Sequence, residues 1–134
     1  MIADCSVAGL RPEGWARAVA AAAQAWGADR VIAEANQGGL MVENVLRGAA
    51  RGLPLRLVHA SRGKAARAEP VSALFEARRC LLAGTFPELE DQMAATTSGG
   101  YRGTGSPDRL DAMVWAVSWL MLQPATLAPR IRSL

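Results

Sequence analysis

Apolar residues recur along the chain at two alternating periods, which predict strands and helices in turn. Short apolar runs at residues 1–7, 31–33, 55–60 and 80–83 predict strands. Residues 12–26 instead carry apolar side chains at spacings of four, three and four, which is typical of one helix face. The residues on this face are Trp15, Val19, Ala22 and Trp26.

Four further helices are predicted around and after these strands. One follows Gly39, and a second has Pro70 in its first turn, where a missing N–H costs little. A short acidic helix follows Pro87. The last helix has Ser106 as its N-cap and Pro107 as its first helical residue. The inner face of this last helix is predicted to consist of Leu110, Met113, Val114, Val117, Leu120 and Met121.

This succession of strands and helices predicts an α/β fold with mostly parallel strands and right-handed crossovers. A chain of 134 residues is long enough for one core and therefore for one domain. We expect that domain to span residues 1–123 and to be followed by a loosely held tail at 124–134. Residues 96–105 contain four glycines and are predicted to form a flexible loop or a loose hairpin.

The composition is that of a soluble globular protein, with 51% hydrophobic and 20% charged residues. We find neither a membrane-spanning run nor a signal peptide, so we expect a cytoplasmic protein with no membrane partner. Cys5 and Cys80 are expected to be buried thiols, with a disulfide between them as the alternative, and with His59 they make no zinc pattern. A net charge of +3 is compatible with a polyanionic partner without requiring one.

Carboxylates at one strand end and at the start of the last helix are the candidate catalytic groups. Residues 31–39 have the sequence VIAEANQGG, so a buried strand delivers Glu34 to a sheet edge before two glycines turn the chain. Asp108 and Asp111 lie three residues apart in the first turn of a helix and can face the same way. We expect Glu34 and Asp111 to meet and hold a divalent metal, because oxygen ligands suit Mg²⁺ or Mn²⁺. Taken alone, Asp108 and Asp111 are more often helix caps, and Glu34 could be a simple surface acid.

Four basic residues are candidates for contacts with phosphate groups. They are Arg62, Lys64, Arg67 and Arg102. The alternative is that they are ordinary solvated charges. The chain contains neither a GxxxxGK[ST] sequence nor a strand–GxGxxG–helix pattern, so it has no nucleotide-binding motif. Trp115 and Trp119 lie on the flank of the last helix, where packing is a more frequent role than base stacking.

Four segments together resemble the nuclease domain of phage large terminase subunits. Residues 31–42, VIAEANQGGLMV, resemble that family's second acidic motif, and residues 106–116, SPDRLDAMVWA, resemble its last acidic motif. Residues 60–70 resemble its basic segment, and residues 86–93 resemble its short acidic helix. Their order and spacing agree across almost the whole chain, and the likeness is greatest to terminases of phage-like gene transfer agents and related prophages.

The resemblance implies a ribonuclease H-like fold, in which helices flank a mixed sheet, and two-metal cleavage of double-stranded DNA during genome packaging. Glu34 and Asp111 match metal-binding acids of the family, and Asp108 matches a position that assists the site. The implied cofactor is Mg²⁺ or Mn²⁺, with two ions in the complete site.

The resemblance also implies partners. Lys64 and Arg67 match a basic segment near DNA, and residues 96–105 match a mobile hairpin beside the cleft. In the full protein the implied partners are an ATPase domain, a portal and a small terminase, in the cytoplasm of a bacterial host.

The chain departs from the family's pattern in several places. The family's first metal-binding Asp lies on a central strand that these residues lack, which leaves the Glu34 strand with an unpaired edge. Either residues 1–7 pair there and bring Asp4 near the site, or a second copy of the chain supplies the edge in a homodimer. Leu40 stands where an acid is frequent, and Arg78 stands where a glycine usually ends the helix.

Two alternatives to an active endonuclease stay open on these observations. Because the first acid is missing, the chain could be an inactive fragment that only binds DNA or packaging partners. It could also be a resolvase-like nuclease that cuts branched DNA. Replacing Glu34 with alanine is expected to cost little stability, because it relieves repulsion between carboxylates.

Overall fold

The structure, a computed structural model, describes residues 1–36 and 38–122. The predicted tail at 124–134 lies outside these residues. None of the described helices combines the length and the apolar character that crossing a membrane requires. The elements are α1 (Pro12–Ala25), β1 (Val31–Glu34), α2 (Gly39–Ala49), β2 (Leu55–Val58), α3 (Lys64–Glu76), α4 (Pro87–Ala94), β3 (Thr96–Thr97), β4 (Gly100–Tyr101), α5 (Asp108–Val117) and a π-helical turn (Ser118–Leu122).

The parallel pair of β1 and β2 is the sheet that carries the candidate acid. Val31 lies opposite Leu55 and Glu34 lies opposite Val58, so the two strands end at the same edge. Helix α2 connects the strands, as expected because parallel neighbours need a crossover between them. The α/β prediction with parallel pairing is therefore confirmed for this unit.

Two glycines turn the chain from β1 into α2. Gly38 has a φ of 70°, in the left-handed region that side chains disfavour. A Cβ atom on Gly39 would lie 2.9 Å from the Cβ of Ala35, which is too close for any larger residue. The sharp turn predicted after Glu34 therefore depends on both glycines.

The apolar side chains form two small cores. In the first, α1 and α2 pack against the sheet around Ala16, Leu46 and Leu53. Val31 and Ala33, which alternate along β1, both pack against this core. Helices α3, α4 and α5 enclose the second core. Its buried residues are Val71, Leu89, Leu110, Met113 and Val114.

The predicted strand at residues 1–7 is wrong, since these residues form no regular element. The backbone of Met1 bonds to another segment: its amino nitrogen donates to the Leu81 carbonyl at 2.5 Å, and the Ala83 N–H donates to the Met1 carbonyl at 2.8 Å. The predicted strand at residues 80–83 is wrong as well, because these residues form no regular element and instead bond to Met1 and to the end of α3.

The predicted pairing of residues 1–7 with the Glu34 strand is also wrong, because this segment lies against α5. Asp4 accepts a hydrogen bond of 2.9 Å from Nε of Arg109, which holds the segment against α5. Within the described residues, β1 has β2 as its strand partner and no other. A homodimer that covers this edge stays a prediction.

The boundaries of two helices differ from those predicted. Helix α3 begins at Lys64, so Pro70 lies inside it and not in its first turn. Val71 and Leu74 are both buried, and this packing stabilises the helix although Pro70 interrupts its hydrogen bonding. Pro107, and not Ser106, is the N-cap residue of α5.

The end of α5 departs from the predicted pattern, whereas residues 96–105 agree with it. After Val117 the helix continues as the π-helical turn, which changes the helical period. Leu120 is consequently 77% exposed and Met121 is 40% exposed, so their predicted inward orientation is wrong. Strands β3 and β4 form an antiparallel hairpin within residues 96–105, which confirms the hairpin alternative.

Candidate active site

Glu34 is the last residue of β1 and projects at the edge where both parallel strands end. Nδ2 of Asn36 donates to Oε1 of Glu34 at 2.6 Å. Oδ1 of Asn36 accepts a hydrogen bond from the backbone N–H of Ala60, also at 2.6 Å. The amide of Asn36 therefore ties the carboxylate to the segment that follows β2.

Asp108 and Asp111 lie in the first turn of α5, as predicted. Their environments differ, because the Asp108 side chain is 80% exposed and that of Asp111 only 12%. Lys64 lies at the start of α3, and its Nζ is 3.5 Å from Oδ1 of Asp108 and 3.6 Å from Oδ2 of Asp111. Lys64 also donates to Oγ of Ser106, which donates in turn to Asp108.

The guanidinium of Arg67 joins the two principal carboxylates. Its Nη2 donates to Oδ1 of Asp111 at 2.6 Å, and its Nη1 lies 3.6 Å from Oε1 of Glu34. The Arg67 side chain is 11% exposed, and its Nε atom has no hydrogen-bond partner among the described residues. Glu34 and Asp111, remote along the chain, therefore face the same small region.

Three carboxylates and two cations meet here, so the cluster has a net charge of −1 when all five groups are ionised. Arg67 and Lys64 thus offset most of the repulsion among Glu34, Asp108 and Asp111. An arrangement of this kind can bind a cation between carboxylates or can bind a phosphate through its basic groups.

The donor set fits one divalent cation shared by Glu34 and Asp111. The Arg67 guanidinium already serves as a cation between these two carboxylates, and Mg²⁺ is commonly held by one or two carboxylates and several waters. No group of three or more His, Cys, Asp or Glu side chains within residues 1–36 and 38–122 could hold a metal ion.

The predicted phosphate-binding residues occupy different environments. Arg67 lies between the acids, and Lys64 contacts them from a side chain that is 45% exposed. Arg62 and Arg102 are exposed. Tyr101 of the hairpin lines a cavity of about 70 Å³ together with Lys64 and Asp111, so the hairpin adjoins Asp111.

Asp4, the predicted substitute for the missing acid, lies elsewhere. Its carboxylate bonds to Arg109 and to the N–H of Ser6, and none of its contacts reaches Glu34. Burial tends to raise the pKa of Asp4, but the hydrogen bonds from Ser6 and Arg109 outweigh this and lower the pKa below its ordinary value.

Sequence reasoning missed two residues that contact Glu34. The first is Asn36, which lies two positions after Glu34 and so projects from the same side of an extended chain. The second is Trp115, whose Nε1 donates to Oε2 of Glu34 at 2.8 Å. Trp115 follows Asp111 by four residues, and this helical spacing was the only signal that could have associated the indole with an acid.

Comparison with known proteins identifies a family. A protein-family model described as the terminase RNaseH-like domain matches residues 1–120. No curated protein and no solved structure matches the chain.

Proposed function

Because the chain belongs to the terminase RNase H-like domain family, we propose that it is a nuclease domain that cuts double-stranded DNA with Mg²⁺ or Mn²⁺ during genome packaging. The family membership itself points to a nuclease hydrolase, and nuclease domains of this fold generally use divalent metals. The same proposal includes the choice of Mg²⁺ or Mn²⁺, duplex DNA as the substrate, and an ATPase domain, a portal and a small terminase as partners.

The convergence of Glu34 and Asp111 on one guanidinium is the observation that carries the proposal. Two oxygen ligands from different elements, one from β1 and one from α5, lie on either side of a cation. Glu34 and Asp111 would hold a divalent ion, with the exposed Asp108 beside them. Such an ion supplies water activation and stabilisation of the leaving oxygen when it is bound.

The other residues prepare the site for an anionic substrate. Asn36 holds Oε1 of Glu34 in place, so the carboxylate keeps one orientation. Lys64 is half-exposed at the rim of the site, where an ammonium group can contact a DNA phosphate. Arg62 and Arg102 are exposed and can extend this basic surface, and Arg102 directly follows the hairpin that adjoins Asp111.

Nicking of supercoiled plasmid tests the proposal. We expect wild-type protein to nick plasmid in Mg²⁺ or Mn²⁺, and Glu34→Gln or Asp111→Asn to reduce the rate by about 100-fold or more through loss of a ligand oxygen. Glu13→Gln, at an exposed acid in the first turn of α1, is the matched control and should nick at the wild-type rate. Equal rates in Glu34→Gln and wild type would overturn the assignment.

A binding-only role is the second candidate, because Arg67 and Lys64 already neutralise much of the carboxylate charge and the described residues include no three-ligand metal group. This role predicts DNA binding that weakens with salt, without metal-dependent nicking. Arg62→Ala or Arg102→Ala should then each reduce the salt dependence of log K by about one unit. Preferential cutting of four-way junctions over linear duplex would instead indicate a resolvase-like nuclease.

A further inference from the structure

Trp115 contacts both halves of the site through different parts of its indole ring. It lies on α5 one helical turn after Asp111, so the two side chains share a face of the helix. The edge of the ring reaches β1, where Nε1 donates to Oε2 of Glu34 at 2.8 Å. The face of the ring lies against Arg67, whose guanidinium carbon is 4.8 Å from the ring centroid.

These contacts assign separate tasks to the two oxygens of Glu34. Oε2 accepts the indole N–H, whereas Oε1 accepts the hydrogen bond from Asn36 and lies 3.6 Å from Nη1 of Arg67. Arg67 in turn bonds to Asp111. One indole ring thus fixes one oxygen of the first carboxylate and supports the cation that reaches the second.

We propose that Trp115 is a positioning residue of the site, because its N–H fixes Oε2 of Glu34 while Asn36 holds Oε1, and its ring face holds Arg67 between the acids. The consequence for metal binding rests on the nuclease function proposed above. The contact between Trp115 and Glu34 does not, so the two can be tested separately. Trp119 is the next tryptophan along the chain, and its ring centroid lies 5.7 Å from the guanidinium carbon of Arg56. It is the control, because it also lies against an arginine.

The contact itself is tested by ¹⁹F NMR of protein labelled with 5-fluorotryptophan. The chain has four tryptophans, and single Trp→Phe variants assign their resonances. We expect Glu34→Ala to shift the Trp115 resonance more than that of Trp119, because only Trp115 loses its hydrogen-bond acceptor. A Trp115 resonance that moves no more than the Trp119 resonance would overturn the proposal.

The consequence for metal binding is tested with Trp115→Phe, which keeps a ring but removes the N–H. Mn²⁺ affinity is measured from the EPR signal of the free ion. We expect Trp115→Phe to weaken Mn²⁺ binding by about tenfold, in line with other residues that orient metal ligands. Trp119→Phe should change it less than about twofold.

The outcomes separate this inference from the proposed function. If wild-type and Trp115→Phe proteins bind Mn²⁺ equally, the positioning role is overturned while the nuclease proposal stands. If the wild-type protein neither binds Mn²⁺ nor nicks DNA, but Glu34→Ala still shifts the Trp115 resonance selectively, the nuclease proposal fails and the positioning contact stands.

Discussion

Arg78 ends α3 in a conformation that suits glycine better than arginine. Its φ is 55°, and it is the only non-glycine residue with positive φ in the described part of the chain. The N–H of Arg78 donates to the Phe75 carbonyl, and that of Arg79 donates to the Leu74 carbonyl. These two bonds define a Schellman motif, whose left-handed position is most often glycine. The family resemblance had identified this same position as one where glycine is usual.

Arg78→Gly is therefore predicted to stabilise the protein by about 0.5–1 kcal/mol, because relief of left-handed strain exceeds the added entropy of the unfolded chain. Urea unfolding at neutral pH checks this as a higher midpoint with an unchanged slope. Arg79→Gly is the control, since Arg79 is also exposed but has no positive φ, and it should be neutral or destabilising. A lower midpoint for Arg78→Gly would show that the arginine side chain stabilises this helix end.

The candidate site illustrates which placements can be predicted from sequence. Glu34 and Asp111 could be proposed as site residues because each lies where a recognisable local pattern places an acid, and their roles stay a prediction. Arg67 was predicted to contact DNA from its charge and position, and the structure places it between the acids instead of on the open surface. Trp115 could not be paired with Glu34, because that contact depends on how β1 and α5 meet in three dimensions.

The structure also changes the expectation for Glu34→Ala. Glu34 accepts hydrogen bonds from Asn36 and Trp115, so truncation leaves two donors without this acceptor. Relief of carboxylate repulsion is therefore offset by lost hydrogen bonds, which are typically worth about 1 kcal/mol each.

At the scale of elements, proline and glycine signals predicted the starts of helices correctly, because a helix start needs no distant partner. Pro12 begins α1 and Gly38 and Gly39 begin α2 as expected, because these effects act within a few residues. Residues 1–7 have a strand-like pattern, but a strand needs a neighbour to complete its hydrogen bonds. Instead, Asp4 anchors the segment to Arg109 of α5, which no periodicity could indicate.

The Asp4–Arg109 contact predicts how the stability of this segment changes with pH. Because the folded protein lowers the pKa of Asp4, the ionised carboxylate stabilises the fold above the ordinary aspartate pKa of about 3.9, and this stabilisation is lost as pH falls towards the folded-state pKa. Asp4→Asn should therefore lower the free energy of unfolding at pH 7, with the difference from wild type shrinking below about pH 4. Urea unfolding across pH 2–7 measures this difference, and Asp29→Asn at an exposed loop acid is the control. A difference that is the same at every pH would show that the carboxylate charge is not its source.

On the scale of the whole molecule, the acids lie where two small cores meet. Contacts between elements occur mainly within two groups, one of α1, α2 and the parallel sheet, the other of α3, α4, α5 and the hairpin. Glu34 belongs to the first group, whereas Arg67, Asp111 and Trp115 belong to the second. The polar contacts among these four side chains therefore join the cores across the site.

This arrangement predicts that a bound metal couples the stability of the two cores. In native-state hydrogen exchange without metal, amides of α2 and α5 should open with different free energies, because each belongs to a separate core. Mg²⁺ at 100 times its dissociation constant should raise the opening free energies of both helices by about 2.7 kcal/mol. The reason is that opening either core removes one carboxylate from the shared ion. Asp111→Asn should abolish the gain in both helices, although the substitution lies in only one core. A gain confined to α5 would mean that Glu34 takes no part in binding the ion, and the site would then be an acidic cluster of α5 alone.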